Sequence, residues 1–485
     1  MYKRQVEYYA VLVDGKKIGH MIQTRSVEAQ TVTTVQEMNI TIARGGMLLA
    51  IGTTEKAVET ADGKPVSFEF VQNMSGMSQK ITGKVSGGKV TGGMEMMGAN
   101  QQITLDWPDG AVMFEGMRLQ ELQKGLAKGT SYEVKVFVPM LITMAQTGEQ
   151  AAASAKIDIG DTADVDLFGR VVKLTQVQVL MQMPTGQIQS TGYVDKDFRA
   201  LKTVVPTMGM NLEIIACDKE FALSKNDVVD FLSKMLIQSP VALEDIGSRK
   251  SITYELIPSE GAEIAILSGD NQKVDTGKNG KIAVTVEPVK PAGGDEFPYK
   301  GRDATALEAL KATTYLQSDN KEIQDLARHA VGGTKDTAEA VKQIESFVSG
   351  FITAKDLSVG YASAAEVAQS RQGDCTEHAV LAAAMCRAVG IPARVVFGIV
   401  YVDDLIGRKN VFGGHAWAQA LVGGKWVGLD ATRAPKGFGP GHIALAVGSG
   451  EPADFFGMIN TLGYFKIEKV TVKDGAEKEA NKANK

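Results

Sequence analysis

The stretch that decides the fold covers residues 373–394 and reads GDCTEHAVLAAAMCRAVGIPAR. Its alanine-rich middle predicts a helix, because alanine has the highest helix propensity. Gly390 is a natural helix end, Pro392 cannot continue a helix, and an apolar strand is predicted over Arg394–Val402. Cys375 therefore begins the helix, where free backbone N–H groups and the helix dipole stabilise a thiolate. The same N–H groups can bind an oxyanion, so the pattern indicates a nucleophilic cysteine.

A hairpin with a two-residue turn at 423–424 is predicted next, which pairs Val422 with Lys425. In that register His415 and Asp430 are diagonal neighbours on one face of the hairpin. A carboxylate in that place can hold an imidazole in one tautomer and stabilise its charged form. The hairpin thus predicts the base and the orienting group of a nucleophilic triad.

The motifs of this region follow one another over roughly residues 335–435: Gly373-Asp374-Cys375 with Glu377-His378-Ala379, Gly390-Ile391-Pro392-Ala393-Arg394, Gly414-His415-Ala416-Trp417 and Gly428-Leu429-Asp430. Together they resemble the transglutaminase-like superfamily, the papain-like group that also contains bacterial cysteine peptidases. The resemblance implies that Cys375 is the nucleophile, His415 the general base and acid, and Asp430 the orienting group. It implies no cofactor and no metal, and nothing outside this core resembles a calcium-regulated animal transglutaminase.

The expected fold class is α+β. We predict an N-terminal antiparallel β-sheet region, followed by a papain-like transglutaminase core in which the helix that carries the cysteine packs on an antiparallel sheet. A second oxyanion donor is implied by the resemblance, and Gln372 and Tyr361 are the two candidates.

His378 follows Cys375 by three residues and lies on nearly the same helix face. The pair could begin a zinc site, but no second close pair of ligands completes four, so we interpret His378 as a histidine that packs beside the cleft. The other three histidines that lack partners in the sequence pattern are predicted to be structural or solvated: His20, His329 and His442.

Arg394 is predicted to pair with Glu377 or Asp374 as structural support. Trp417 shares the strand face of His415 and is expected to wall the cleft, whereas Trp426 is assigned to the core. Cys386 and Cys217 are also assigned to the core; Cys386 lies about 16 Å along the helix from Cys375, too far for a disulfide.

Four domains are predicted. Residues 1–220 show alternating runs separated by glycine turns, typical of an antiparallel β-rich domain, with strands over Ser67–Gln72, Tyr132–Val138, Val171–Met181 and Lys202–Val205 and one helix over Met117–Leu126. A mixed β and linker segment, 221–295, contains a short helix over Lys225–Leu236 and strands over Ser251–Leu256 and Lys281–Val286. The catalytic domain covers 296–470, with helices over Asn320–Ala330 and Thr334–Phe351, and a charged, disordered tail covers 471–485.

The 485-residue chain has 52 Lys and Arg against 57 Asp and Glu, a net charge of −5, which argues against a nucleic-acid partner. No apolar run reaches the roughly 18–20 residues that span a bilayer, so no integral membrane span is predicted. The chain starts directly in a strand pattern without a signal peptide. Such a start is typical of a mature or truncated form. We therefore expect a bacterial, exported protein of the periplasm or cell envelope whose export signal is missing from this chain, with the cytoplasm as the alternative.

The predicted function is thiol-dependent acyl transfer on amide or peptide bonds of a protein or peptide substrate, cell-envelope proteins among them. Resolution of the acyl-enzyme by water makes a cysteine peptidase or amidase, and resolution by an amine makes a crosslink; hydrolysis is favoured. The alternative is a non-catalytic binding or assembly protein that uses the β-rich region and keeps the core as a scaffold.

Overall fold

The computed structural model describes residues 3–44, 47–74, 77–96, 99–143, 145, 147–183, 186–260, 262, 264–277, 280–355, 362–450, 454, 458 and 461–474. The chain forms two compact units, Met1–Asp230 and Phe231–Lys485. In the described residues, none of the helices has the length and apolar content needed to cross a membrane.

The first unit is a single antiparallel sheet to which fourteen strands contribute in the described residues. The strands are β1 Lys3–Val13, β2 Lys16–Glu28, β3 Thr31–Arg44, β4 Met47–Thr60, β5 Pro65–Met74, β6 Met77–Ser86, β7 Lys89–Met96, β8 Ala99–Asp106, β9 Ser131–Phe137, β10 Ala152–Leu167, β11 Arg170–Met183, β12 Gly186–Val194, β13 Ala200–Thr207 and β14 Met210–Cys217. Two helices accompany them, α1 Phe114–Lys124 and α2 Lys219–Ala222, together with 3₁₀ turns at Pro139–Thr143 and Gly148–Ala151.

The strand order of the first sheet runs from β8 back to β1 and then from β14 back to β9. Every neighbouring pair is therefore consecutive in sequence except β1 and β14, which bring together the two ends of the unit. The four predicted strands and the predicted helix of this region are confirmed, with the helix starting earlier, at Phe114.

The helix predicted over Lys225–Leu236 is wrong for most of its length, since only α3, Phe231–Lys234, is helical there. The segment before it is held by bonds to β2 instead. The Lys17 ammonium donates to the Asn226 side-chain oxygen at 2.7 Å, and the Asp227 N–H donates to the Lys17 carbonyl at 2.6 Å. The Val229 carbonyl, which a helix would use to accept from residue 233, accepts instead from the Ala43 N–H at 2.9 Å.

The second unit combines helices with two antiparallel sheets. Its other helices are α4 Ala304–Glu308, α5 Lys321–Val331, α6 Thr337–Phe351, α7 Ala364–Ser370 and α8 Cys375–Ala388. Its strands are β15 Ile237–Gln238, β16 Arg249–Pro258, β17 Gln272–Thr276, β18 Ile282–Val286, β19 Ala393–Leu405, β20 Arg408–Val422, β21 Lys425–Leu429, β22 His442–Gly448 and β23 Phe465–Asp474, with 3₁₀ turns at Ile246–Ser248 and Ala431–Arg433.

In the described residues, one sheet has the order β15-β20-β19-β22, with β21 paired to β20, and the other has the order β17-β18-β16-β23. Helix α8 is buried from Glu377 to Arg387 and packs against β19 and β20. Its alanines allow this close approach, because small side chains let the helix lie near the sheet. The chain thus has an α+β fold in which the cysteine-bearing helix packs on an antiparallel sheet.

The mixed segment of the sequence analysis contributes to this same core. Tyr254 on β16 and Val284 on β18 are fully buried in the cluster that includes α8. The predicted tail begins inside β23, which pairs with β16 and runs to Asp474, and its remainder, 475–485, lies outside the described residues. The four predicted domain limits remain predictions beside the observed division at residue 230.

Candidate active site

The N-terminus of α8 is fixed by a capping box. The Asp374 carboxylate accepts from the Thr376 N–H at 2.9 Å, and the Glu377 carboxylate accepts in return from the Asp374 N–H at 2.9 Å. Gly373 has φ +150°, and a Cβ there would lie 2.2 Å from the Glu377 Cβ, so only glycine fits. Cys375 is consequently held as the first residue of the helix, with its thiol partly exposed.

The hairpin has the predicted register. Val422 pairs with Lys425, and the pairing continues to Ala418 and Leu429, where β21 ends. Both turn glycines have positive φ, +57° and +75°, as the two-residue turn requires. Asp430 is the next residue, and its position after the strand end brings its carboxylate to His415 on β20.

His415 lies between the carboxylate and the thiol. Its Nε2 donates to Asp430 Oδ2 at 2.7 Å, and Cys375 lies close enough to the ring to raise the pKa of His415. Because Nε2 is committed to Asp430, Nδ1 is the nitrogen that remains for the thiol. The three residues predicted as the site are therefore adjacent in the structure, in the order Cys375, His415, Asp430.

A second histidine, His442, reaches the same carboxylate. Its Nε2 lies 2.9 Å from Asp430 Oδ2, and its Nδ1 lies 2.9 Å from the Gly439 carbonyl oxygen and 3.2 Å from the Gly439 nitrogen. The prediction that His442 lacks a partner is wrong. The reason is the strand order: β19 lies between β20 and β22, so that Gly398 pairs with His415 and Val400 pairs with His442. Nothing in the local sequence around His442 signals this neighbourhood.

The charges of the site follow from burial and from these partners. Burial alone would lower the pKa of His415, but the Asp430 and Cys375 charges raise it to about 10. Burial would raise the pKa of Asp430, yet the two histidines hold it well below its usual range. Burial lowers the pKa of His442, so this ring is neutral and donates to Asp430 through Nε2–H. The site thus holds an ionised carboxylate between a protonated and a neutral imidazole.

Glu345 and Trp417 also belong to this site, and the sequence pattern did not predict Glu345. The Glu345 carboxyl on α6 accepts from the Asp430 N–H at 2.6 Å, and burial raises the pKa of Glu345. Trp417 is almost completely buried, and its ring lies 6.2 Å from the His415 ring and 5.1 Å from the His442 ring. It therefore forms a wall beside both histidines, on the strand face that was predicted for it.

The remaining residues near α8 have structural partners. The ring Nδ1 of His378 lies 2.6 Å from the Asp374 carbonyl oxygen, and burial lowers the pKa of His378. Its Nε2 makes no hydrogen bond within the described residues. Burial, and then the neighbouring Asp374, raise the pKa of Glu377 to about 8. His378 thus packs beside the thiol-bearing end of α8, in agreement with its interpretation from the sequence.

The pairing predicted for Arg394 is wrong. Glu377 instead accepts from the Ala362 N–H at 3.0 Å, whereas the Arg394 guanidinium bonds Gln419 and stacks 4.0 Å from the Trp426 ring. The assignment of Trp426 to the core is wrong, since its ring is only partly buried and stacks against Arg394 instead.

The other cysteines and the oxyanion candidates lie as follows. Cys386 is fully buried, as predicted, and burial raises its pKa to about 12; Cys217 is partly buried in the first unit. Gln372 is exposed and precedes α8, and Tyr361 lies outside the described residues. The second oxyanion donor stays a prediction.

One donor set of the site could also hold a metal ion. The ligand atoms of His415, Asp430 and His442 lie within 4.8 Å of one another, and all three residues are buried. Nitrogen and carboxylate ligands of this type suit zinc. Arg433 brings a competing positive charge to within 4.0 Å of the same carboxylate, and the hydrogen bonds among the three side chains satisfy them without an ion.

Comparison with protein families assigns this region. Residues 324–431 match the family model described as the transglutaminase-like superfamily, so this part of the chain is a transglutaminase-like domain. The matched region starts within α5, includes Cys375 and His415, and ends one residue after Asp430. No curated protein matches the chain.

Solved structures give distant likenesses. A proposed cysteine protease from Cytophaga hutchinsonii is 20% identical over 47% of this chain and 86% of its own, with a TM-score of 0.29. A β-barrel-like protein from Brucella abortus with a domain of unknown function is 14% identical over 44% of this chain and 95% of its own, with a TM-score of 0.33. A proposed protease from Parabacteroides distasonis is 12% identical over 76% of this chain and 69% of its own, with a TM-score of 0.19.

Proposed function

We propose that the second unit is a thiol-dependent acyl-transfer enzyme that acts on amide bonds of a protein or peptide. The single observation that carries this proposal is the buried His415–Asp430 hydrogen bond, with Cys375 close enough to the same imidazole to raise its pKa. In this proposal Cys375 is the nucleophile, His415 the acid and base, and Asp430 the group that orients and charges His415.

The proposed reaction begins with the Cys375 thiolate and the protonated His415. The sulfur attacks the amide carbonyl carbon, and the electron pair of the carbonyl moves to oxygen, where backbone N–H groups at the start of α8 stabilise it. His415 then gives its proton to the amide nitrogen, the C–N bond breaks, and an amine leaves. A thioester on Cys375 remains, and His415 is neutral.

The thioester is resolved by a second nucleophile. His415 takes a proton from water, the resulting oxygen attacks the thioester, and the C–S bond breaks to release a carboxylic acid and restore the thiolate–imidazolium pair. An amine in place of water would give a crosslink. We favour hydrolysis, as the resemblance to bacterial cysteine peptidases suggests.

His442 is proposed as a positioning residue. It donates to the same carboxylate oxygen as His415 and is itself fixed by Gly439. Because its pKa is lowered, it stays neutral while His415 exchanges its proton. It would thus hold Asp430 in place without competing for the proton that the reaction moves.

The test is product analysis with matched variants. The wild type is incubated with a set of fluorogenic peptide amides and, separately, with a protein mixture plus a fluorescent primary amine. We expect peptide cleavage and a mass-spectrometric acyl adduct on Cys375, both absent in Cys375→Ala and both kept in Cys217→Ser, whose thiol lies in the first unit. Cleavage that survives Cys375→Ala would refute the proposal, and amine incorporation without cleavage would change the reaction to crosslinking.

A non-catalytic binding or assembly role is the alternative. It predicts that wild type and Cys375→Ala behave alike in both assays and that no adduct forms on Cys375. The arrangement of the site supports the enzyme instead, because a scaffold has no need of a histidine charged by a buried carboxylate beside a partly exposed cysteine.

A further inference from the structure

A pocket of about 160 Å³ lies in the second unit and is lined in part by His442 of the candidate site. Part of its wall is apolar or aromatic, formed by Leu267, Val286, Val447, Trp417 and Phe438, together with His442. A pocket of this composition suits a small organic group with an apolar body.

Asp270 lines the pocket, and its carboxylate accepts from the Trp426 N–H at 2.8 Å. The positively charged group of the pocket is Arg394. Its Nε and Nη2 both donate to the Gln419 Oε1, at 2.9 and 2.7 Å, and its guanidinium carbon lies 4.0 Å from the Trp426 ring centroid. These contacts fix the plane of the guanidinium and use two of its five N–H groups. Arg394 is thus a rigidly held cation at the pocket wall.

Within the part of the chain that the structure describes, no carboxylate forms an ion pair with Arg394, and Asp270 acts on it only through its charge at longer range. Burial lowers the pKa of Arg394 to about 10, which reflects the cost of holding this charge away from water. A guanidinium presents a fork of N–H groups that matches a carboxylate. Asp270 also lines the pocket but forms no close ion pair with Arg394, so an anionic ligand would supply a counter-charge at hydrogen-bond distance.

The other polar groups around the pocket are occupied. The Asn271 amide donates to the Trp426 carbonyl at 2.7 Å and accepts from the Val289 N–H at 2.9 Å. The Gln272 side chain donates to the Ala444 carbonyl at 3.0 Å and accepts from its N–H at 2.8 Å. These residues build the pocket, which leaves Arg394 and the amide nitrogen of Gln419 to receive a ligand.

We propose that this pocket binds the carboxylate of a small organic ligand, with Arg394 as the anchor and the aromatic wall of Trp417 and Phe438 against the ligand's apolar body. The proposal rests on the pocket and goes beyond the proposed acyl transfer, which does not use Arg394. The carboxylate could belong to the substrate of Cys375 or to a separate ligand, and the pocket borders the His442 ring, 5.8 Å from the ring of His415.

The test compares benzoate with benzamide, which has nearly the same shape and no charge. Binding is followed by tryptophan fluorescence, since Trp417 lines the pocket and Trp426 stacks on Arg394. Benzoate should bind the wild type at least tenfold more tightly than benzamide. Arg394→Gln should lose this preference, and Arg408→Gln, an exposed arginine at the start of β20, should keep it.

A second variant protects the test against misfolding of Arg394→Gln. Gln419→Glu places a carboxylate on Arg394 within the protein, so it should keep the fold and still abolish benzoate binding. Equal binding of benzoate and benzamide by the wild type, no binding of benzoate, or full benzoate binding by Gln419→Glu would each overturn the proposal.

The source of the carboxylate is decided with the same probe. Saturating benzoate that slows alkylation of Cys375 by iodoacetamide would assign the pocket to the substrate of the thiol. Benzoate that binds and leaves the alkylation rate unchanged would assign it to a separate ligand. Both results require binding, so they stand apart from the test of the acyl-transfer reaction itself.

Discussion

Each unit of the chain buries a carboxylate among basic side chains, and the two centres differ in the kind of base. In the first unit Glu115 accepts from Arg25 at 2.8 Å and from Arg118 at 2.5 Å. In the second, Asp430 accepts from His415 and His442. Guanidinium groups keep their protons at any pH near neutrality, whereas imidazoles exchange theirs. The first centre can therefore only hold structure together, and the second can also move a proton.

Removal of the Asp430 carboxylate should have the largest effect on activity and on stability. Asp430→Ala leaves two buried histidines without their acceptor, and we expect activity to fall by at least about 10³-fold, as for other triads. The free energy of unfolding of the second unit should also fall by about 3–5 kcal/mol, because one partner of a buried pair is removed. Peptide hydrolysis and urea denaturation measure the two losses. Unchanged hydrolysis in a folded Asp430→Ala would show that the carboxylate has no part in the reaction.

The two centres should respond to opposite ends of the pH scale. The raised pKa of His415, about 10, gives stability that is complete below about pH 6.5 and is lost as the pH rises toward 10. The arginines lower the pKa of Glu115, so its stability is present above about pH 4.3 and is lost as the pH falls. In a denaturation experiment, the fluorescence of Trp417 and Trp426 follows the second unit, and that of Trp107 follows the first.

The free energy of unfolding of the second unit should therefore fall as the pH rises from 8 to 10. His415→Ala should remove most of that slope, and a slope of the same size in wild type and His415→Ala would contradict the assigned charge of His415.

The matching change in the first unit should affect stability alone. Glu115→Gln leaves Arg25 and Arg118 without their charged acceptor, and we expect a loss of about 1–3 kcal/mol from the first unit. Cys375 alkylation should proceed at the wild-type rate, which the same sample can measure by mass spectrometry. A change in that rate would mean that the two centres are coupled.

His442 should affect catalysis less than Asp430. Loss of one hydrogen bond to a charged group costs about 1.5–3 kcal/mol, so His442→Ala should lower kcat about 10- to 100-fold with little change in KM. His442→Gln can still donate to Asp430 and should recover most of the rate. A rise in KM at constant kcat, or no recovery by glutamine, would assign His442 to substrate binding or to packing instead of positioning.

The features that the sequence predicts correctly depend on segments that are close together along the chain. The first sheet is built from consecutive strands, and Cys375, His415 and Asp430 are placed by one helix start and one two-residue hairpin, so local rules reach them. His442 meets Asp430 only because β22 joins the far side of β19, and the mixed segment enters the core because β16 pairs with β23. The pairing predicted for Arg394 is wrong because β19 pairs with β20, which sets Arg394 opposite Gln419. Such partners depend on the order of strands that are distant in sequence.

The most direct test of the central claim is the rate of Cys375 alkylation by iodoacetamide against pH, in His415→Ala and in His378→Ala. The claim is that the protonated His415, charged by Asp430, holds the thiolate. His415→Ala should slow alkylation at neutral pH by at least tenfold and require a higher pH for full reactivity, whereas His378→Ala should follow the wild-type profile. If His378→Ala abolishes reactivity while His415→Ala leaves it intact, the helix histidine is the base and His415 does not hold the thiolate.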